Sequence, residues 1–391
     1  NAKLFNQNIG AWNTEKVTNM NNMFNGAEKF NVNIGGWNTE KVTNMESMFR
    51  NARKFNQNIG AWSTEKVTNM SSMFEGARDF NQNIGTWNTR NVTQMQNMFK
   101  NAEKFNGNIT NWNTGNVTNM ASMFENARNF NKDLNWDTKN VTDMSAMFAM
   151  AYNFNGNISS WNTGNVKYMN NMFYLSAKFN SDIKNWNTGN VTNMRNMFNG
   201  AGFFNADIGL WDTKNVTNMA SMFEKSISFN RELRWNTKKV TNMGSMFKTA
   251  SRFNSRLVNW DTSKVENMEW MFSYSPFNND SISNWDTSKV ENMSGLFSYS
   301  TSFNQNLNWD TSNVKTMEIM FLGSHRFNKD ISNWNTKNVK NMDNMFKEAS
   351  DFNKNLNRWN VSKIPTKPNG FSDESSLSTE NEPIWGTTGQ N

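Results

Sequence analysis

Large apolar residues recur along this chain at nearly constant intervals, separated by polar positions. Each period reads F-N-x-(N/D)-(I/L)-x-x-W-(N/D)-T-x-x-V-x-x-M-x-x-M-F-x-x-(A/S)-x-x, and the fifteen leading phenylalanines run from Phe5 to Phe352. Most intervals between them are 25 residues, a few are 24 and one is 26. A period of this length indicates supersecondary units that stack on their neighbours to complete a common core.

Spacing inside the period predicts the elements of each unit. The unit is too short for the two helices of an α-solenoid repeat. V-T-N-M, first seen at Val17–Met20, favours a short parallel strand, and M-x-x-M-F-x-x-A has the three- and four-residue spacing of a helical turn. F-N-x-N-I is predicted to be extended. We therefore expect a repeat solenoid, a β-solenoid with one short parallel strand and one short helical turn per coil.

Two polar or amphipathic columns are expected to tie the coils together. The asparagine after each leading phenylalanine is predicted to form an internal ladder, because a buried amide must find backbone partners. The alternative is a polar stripe that binds a ligand. Tryptophans recur once per unit and are expected to stack in the same way. The first members of these two columns are Asn6, Asn31, Asn56, Asn81, Asn106, Trp12, Trp37, Trp62, Trp87 and Trp112.

Composition and charge exclude several classes of function. The 40 basic and 33 acidic residues are interleaved, whereas nucleic-acid binders cluster their Lys and Arg on one face, so no nucleic-acid partner is expected. The chain has no Cys and a single histidine, His325, which excludes disulfides, thiolate metal sites and pairs of His ligands. No apolar stretch is long enough to cross a membrane.

A near-perfect repeat offers columns of residues, whereas catalysis needs an asymmetric cluster. The Met columns fit core packing better than a soft-metal channel, since thioether sites cluster several Met residues in one place. Acidic residues such as Asp133 and Asp182 share their column with Asn, so a repeated calcium site would lack charge in most coils. We expect no cofactor and no enzymatic activity.

The run W-(N/D)-T-x-x-V-T-N-M-x-x-M-F, followed by A-x-x-F-N-x-(N/D)-I, resembles the BspA-like bacterial surface-protein repeats. Such repeats are abundant in mycoplasma surface lipoproteins and also occur in Listeria-type lipoproteins. The resemblance covers residues 2 to about 364. It implies a leucine-rich-repeat-like solenoid, a cell-surface or extracellular location, and roles in adhesion or interaction. It carries no catalytic residues.

The chain is expected to have two parts. Residues 1–364 form the solenoid, whose last repeat is truncated where Pro365 and Pro368 stop the next coil. Residues 365–391 resemble the terminal segment of such arrays. Because open ends of stacked coils need a cap, this segment is predicted to cover the end with Phe371, Leu377 and Trp385.

Residues that break the consensus at exposed positions are the candidates for specificity. Two groups place apolar side chains in columns that are usually small or polar, and neighbouring coils, about 4.8 Å apart, would join each group into a patch. The alternative is local packing of replaced turn residues. The first group is Met150, Tyr152, Tyr168, Tyr174, Leu175 and Phe203, and the second is Trp270, Tyr274, Tyr299 and Ile319.

Three functions are compatible with this sequence. We expect a surface interaction protein that binds a protein or another cell-surface macromolecule. The alternative is a structural protein that self-associates side by side or end to end as a coat or filament. A third possibility is a carbohydrate-binding module, because exposed aromatic rings also stack on sugars.

Overall fold

The computed structural model describes residues 2–390 and divides into two compact units. The first unit comprises Asn1–Val191 with Gly200–Ala206, and the second comprises Thr192–Asn199 with Asp207–Asn391. Inside each unit the chain winds in coils, and every coil packs on the one before it. The predicted repeat solenoid is therefore present in each unit.

Adjacent coils are joined by single-residue parallel bridges. In the first unit Asn19 pairs with Asn44, and the row continues to Asp143 with Tyr168. In the second unit the row runs from Asn193 to Asn341, and Leu233 pairs separately with Leu257. No longer strand forms within residues 2–390. The strand predicted for V-T-N-M is thus reduced to its asparagine, because the residues that follow turn away at once.

The segment predicted as a helical turn is a pair of consecutive β-turns. In the first coil the turns Met20–Met23 and Phe24–Ala27 are each closed by an N–H donating to the carbonyl three residues earlier, at 3.3 and 3.0 Å. The third residue of each turn has a positive φ, 58° at Asn22 and 75° at Gly26, as in type II turns. Two such turns give the same three- and four-residue spacing as a helix, so the predicted helical turn was wrong.

The turns allow backbone N–H groups to find hydrogen-bond partners that a short helix would not give them. The N–H groups of Asn22, Phe24 and Gly26 donate to carbonyls of the next coil, at 2.9, 2.8 and 2.7 Å. A helix of one or two turns would leave its first four N–H groups without partners. In residues 2–390 the helices are two 3-10 turns, Asp280–Ile282 and Thr379–Asn381.

The repeated apolar residues form the core of each unit. Phe74 lies 5.6 Å from both Phe49 and Phe99 in the neighbouring coils, and 3.9 Å from Phe80. The distances join ring centroids, and the rings are nearly parallel. In the coil that begins at Phe55, the buried apolar side chains are Phe55, Ile59, Trp62, Val67, Met70, Met73, Phe74 and Ala77.

Tryptophan rings form a second stacked row beside the phenylalanines. The rings of Trp37 and Trp62 are 6.4 Å apart and 2° from parallel, and both are buried. Most of the repeat indole N–H groups also donate to the carbonyl of an Ile or Leu in the previous coil, as Trp87 does to Ile59 at 3.2 Å and Trp161 does to Leu134 at 2.8 Å. The row begins at Trp12, which is 57 % exposed.

The asparagine ladder lies at the surface, which corrects the prediction that it is internal. The Oδ1 atom of Asn6 accepts from the backbone N–H of Asn31, and Asn31 and Asn56 repeat the bond, each at 2.9 Å. These amides are exposed or half-buried. Each Asn Oδ1 atom needs a backbone N–H group of the next coil as its hydrogen-bond partner. Such a group is available at the surface as well as in the interior.

The segment after Ile364 packs on the last repeat of the second unit. Phe346 and Leu356 donate backbone hydrogen bonds to the carbonyls of Phe371 and Asn381, at 2.9 and 2.8 Å. The ring of Phe371 is buried and meets Trp385 edge-on at 4.8 Å. Leu377 is also buried. We propose from these contacts that residues 365–391 cap the solenoid.

Candidate interaction surface

Four consensus-breaking residues, Trp270, Tyr274, Tyr299 and Ile319, lie in the turns of adjacent coils of the second unit and are called the aromatic patch. Tyr274 and Tyr299 occupy equivalent positions in consecutive coils, and their rings stack with centroids 4.8 Å apart. Trp270 and Ile319 lie in a second row, with one coil between them. Tyr274 is 51 % exposed, and the other three are half-buried.

Glycines in the next coil make room for two of these rings. A Cβ on Gly295 would lie 2.5 Å from the Trp270 ring, and a Cβ on Gly323 would lie 2.5 Å from the Tyr299 ring. Both rings therefore lie against these glycines of the following coil. This pairing of a large residue with a glycine one coil later was visible in the sequence and was missed.

The patch residues adopt a backbone conformation that their side chains disfavour. All four have positive φ values, from 49° at Ile319 to 56° at Trp270. Elsewhere these two rows carry mainly Gly, Asn and Ser, which enter the left-handed region more easily than bulky residues do. The cost is about 1–2 kcal/mol per residue.

Ile319→Asn is expected to raise the free energy of unfolding by about 1 kcal/mol, because asparagine relieves the left-handed strain of a β-branched residue. Urea denaturation followed by circular dichroism measures the change. The reverse exchange in the same row, Asn97→Ile, is the control and should cost a similar amount. If the Ile319→Asn protein is no more stable than the wild type, the positive φ of Ile319 does not strain the backbone.

The polar surroundings of the patch combine the Lys248 cation, the Glu348 carboxylate and the Tyr299 hydroxyl group. The Lys248 ammonium lies over the Trp270 ring, 4.5 Å from its centroid, in a cation–π contact. Burial raises the pKa of the Tyr299 phenol, and the negative charge of Glu348 adds to the shift. The phenol therefore stays protonated at neutral pH and can donate a hydrogen bond.

Two buried hydroxyl groups lie directly before the tyrosines. Ser273 and Ser298 are fully buried, and neither Oγ atom has a hydrogen-bond partner within residues 2–390. A buried polar group left unpaired costs about 1–3 kcal/mol. The unpaired hydroxyl groups of Ser273 and Ser298 therefore lie next to bulky residues with positive φ values.

The first candidate group is not one patch. Met150 and Leu175 lie in the turn rows of the first unit, and Tyr174 directly precedes Leu175. Leu175 covers Gly200 as Trp270 covers Gly295. Tyr152, two residues after Met150, lies beneath the Arg128 guanidinium at 5.6 Å.

The two remaining members lie in other rows of the first unit. Tyr168 belongs to the bridge row, where it pairs with Asp143 and is 46 % exposed. Phe203 lies immediately before a leading phenylalanine and is 65 % exposed. The turn-row cluster is therefore smaller than predicted.

The described part of the chain contains no cluster of three or more His, Asp or Glu residues placed to hold a metal ion. None of its helices is long and apolar enough to cross a membrane. The aromatic patch can bind a partner through its stacked rings, the Lys248 ammonium and the Tyr299 hydroxyl group.

The profile of a family described as mycoplasma protein of unknown function, DUF285, matches the chain five times. The matches cover residues 1–83, 56–135, 134–234, 203–281 and 274–384. A search of curated protein sequences finds no match.

Solved leucine-rich-repeat structures show weak similarity. A leucine-rich-repeat protein of Leptospira interrogans is 6 % identical with a TM-score of 0.23, over 94 % of this chain and 90 % of that chain. One from Bacteroides ovatus is 11 % identical with a TM-score of 0.28, over 86 % and 82 %. The functional domain of InlJ from Listeria monocytogenes is 9 % identical with a TM-score of 0.22, over 83 % and 68 %.

Proposed function

We propose that this chain, which belongs to the mycoplasma family DUF285 of unknown function, is a non-enzymatic scaffold on the bacterial cell surface. It binds a protein partner through its aromatic patch. The observation that carries the proposal is the strained placement of Trp270, Tyr274, Tyr299 and Ile319. Strained residues persist where they serve a function, since a relaxed sequence would otherwise replace them.

Chemistry favours a protein as the partner. Tyrosine and tryptophan are the residues that most often dominate protein–protein binding energy, when packing in the complex removes them from water. Here the Tyr274 ring is 51 % exposed and stacks on the Tyr299 ring, and the cationic Lys248 lies over the Trp270 ring. A partner could bury the rings and accept hydrogen bonds from their hydroxyl groups.

The test exchanges both tyrosines for the residue that the turn prefers. We expect the double variant Tyr274→Asn/Tyr299→Asn to bind cultured host cells at least about tenfold more weakly than the wild type, equivalent to 1.4 kcal/mol or more. Flow cytometry with labelled protein measures the affinity. The fold should persist, because asparagine tolerates the positive φ at both positions.

Tyr168→Asn is the matched control. Tyr168 is exposed to a similar extent, and asparagine is the usual residue in its row, so this variant should bind as the wild type does. Trypsin treatment of the cells should abolish binding if the partner is a protein. Unchanged binding by the double variant, or binding that survives trypsin, would refute the proposal.

Self-association is the competing outcome. If the wild type fails to bind cells, but its light scattering rises with concentration and the double variant stays monomeric, then the patch joins copies of this chain. That result would favour a coat or filament and would also refute the proposal.

A further inference from the structure

A groove runs along the surface of the first unit over one stretch of the asparagine ladder. Its floor is formed by Asn81, Asn106, Asn131 and Asn155. Its volume is about 720 Å³, within the range of about 300–1,000 Å³ typical of small-ligand sites. We call it the amide groove.

The wall of the amide groove is formed by residues that immediately precede leading phenylalanines. They are Lys104, Asn129, Asn153, Lys178 and Phe203. The lining contains two lysines and no carboxylate. Lys104 pairs with Asp79 at 2.6 Å, whereas Lys178 has no ion-pair partner among residues 2–390. The groove therefore favours a ligand with negative charge.

At three of the four floor residues, Gly or Lys replaces the glutamine that lies over the ladder in the preceding coils. In the preceding coils Gln57 and Gln82 donate hydrogen bonds to the ladder residues Asn31 and Asn56, at 2.9 to 3.0 Å. In the groove the positions equivalent to these glutamines are Gly107, Lys132 and Gly156. No glutamine amide therefore lies over Asn81, Asn106 or Asn131.

The exposed amides are held in one orientation. The Oδ1 atoms of Asn81, Asn106 and Asn131 accept backbone N–H bonds from the next coil at 2.8 to 3.0 Å. No acceptor within residues 2–390 takes a hydrogen bond from their NH₂ groups. Because the oxygen is fixed, the NH₂ donors form a row with the spacing of the coils, about 4.8 Å.

We propose that the amide groove binds an acidic oligosaccharide. The row of amide donors matches sugar hydroxyl and carboxylate oxygens, and Lys178 matches a carboxylate or sulfate group. The Phe203 ring, 65 % exposed at the groove wall, offers a flat apolar surface to the C–H face of a sugar ring. An apolar protein segment would leave the amide donors without acceptors, which costs affinity.

Isothermal titration calorimetry with hyaluronan hexasaccharide tests the proposal. We expect it to bind at least tenfold more tightly than chitohexaose, which lacks the carboxylates. Lys178→Gln and Phe203→Ser should each weaken binding about tenfold without loss of folding, because both side chains are exposed. No binding of hyaluronan, or equal binding of chitohexaose, would overturn the proposal.

Asn106→Ala and Asn56→Ala form a matched pair. Each removes one ladder bond from a half-buried position of the first unit. Asn56→Ala also removes the bond that its Oδ1 atom accepts from Gln82, so it should lose at least as much stability as Asn106→Ala. We expect only Asn106→Ala to weaken hyaluronan binding, because Asn56 lies under Gln82, outside the groove. Equal weakening by both would refute the site.

Polyglutamate is the charge control. If it binds as tightly as hyaluronan, the groove is a nonspecific anion site and the proposal fails. The site is independent of the aromatic patch, so the variant Tyr274→Asn/Tyr299→Asn should bind hyaluronan as the wild type does. The two proposals can therefore fail independently, and these variants show which of them has failed.

Discussion

We expect Trp87→Ala to lower the local free energy of unfolding by about 3–5 kcal/mol, the range for removing a buried aromatic side chain. The ring is 4 % exposed, packs against Phe74 at 6.2 Å and stacks on Trp112 at 6.3 Å. The substitution also leaves the Ile59 carbonyl without the indole donor. Amide hydrogen exchange in the adjacent coils measures the loss, since repeat arrays need not unfold as one cooperative unit.

Trp12→Ala is the control for this prediction. Trp12 occupies the same column but is 57 % exposed, and within residues 2–390 its ring stacks on Trp37 alone. Its removal should therefore cost less than about 1 kcal/mol. Comparable losses for the two tryptophans would mean that burial does not determine the stability of the coils.

Gly156→Ala is expected to lower the free energy of unfolding by about 1–3 kcal/mol, as overpacking does. A Cβ at this position would lie 2.1 Å from the carbonyl oxygen of Lys132, so the backbone of one coil must shift. Urea denaturation measures the effect.

Gly36→Ala provides the comparison in the same unit. Apart from its two chain neighbours, no heavy atom of residues 2–390 lies within 4 Å of its Cβ position, and its φ is not positive. Alanine there should leave stability unchanged or raise it by about 0.4–1 kcal/mol, because it restricts the unfolded chain. Wild-type stability of Gly156→Ala would contradict the close approach of the two coils.

The core was predictable because each of its positions is marked by a large apolar residue in nearly every coil. Phe55, Trp62 and Met70 could be assigned to the interior from their recurrence alone. The match to the mycoplasma family also confirms the resemblance drawn from the repeat motif.

The turns were not predictable from spacing, because two consecutive β-turns and a helix place apolar residues at the same intervals. The deciding signal was the presence of residues such as Asn22 and Gly26 at the third position of each turn. The exposed ladder was missed for a different reason. Asn31 makes the predicted bond to the next coil, but that bond does not require burial.

The sequence could predict which residues form the candidate surfaces, but it could not predict how their side chains are arranged. Breaks in the consensus identified Tyr274, Tyr299 and Phe203, whereas stacking and strain required the backbone angles. The amide groove depends on the absence of glutamine side chains over the asparagine ladder. Its signal was the replacement of glutamine by Gly107 and Gly156, which carry no side chain.

The hydrogen bonds between coils have a consequence for how such a chain can change in length. The indole bond from Trp62 to Ile34 spans 28 residues, and the ladder bond from Asn56 to Asn31 spans 25. Each reaches only the adjacent coil, so deleting or duplicating one whole period inside a unit recreates the same contacts at the new junction. Recombination between neighbouring periods could therefore vary the length of the array while the packing of every coil stayed the same.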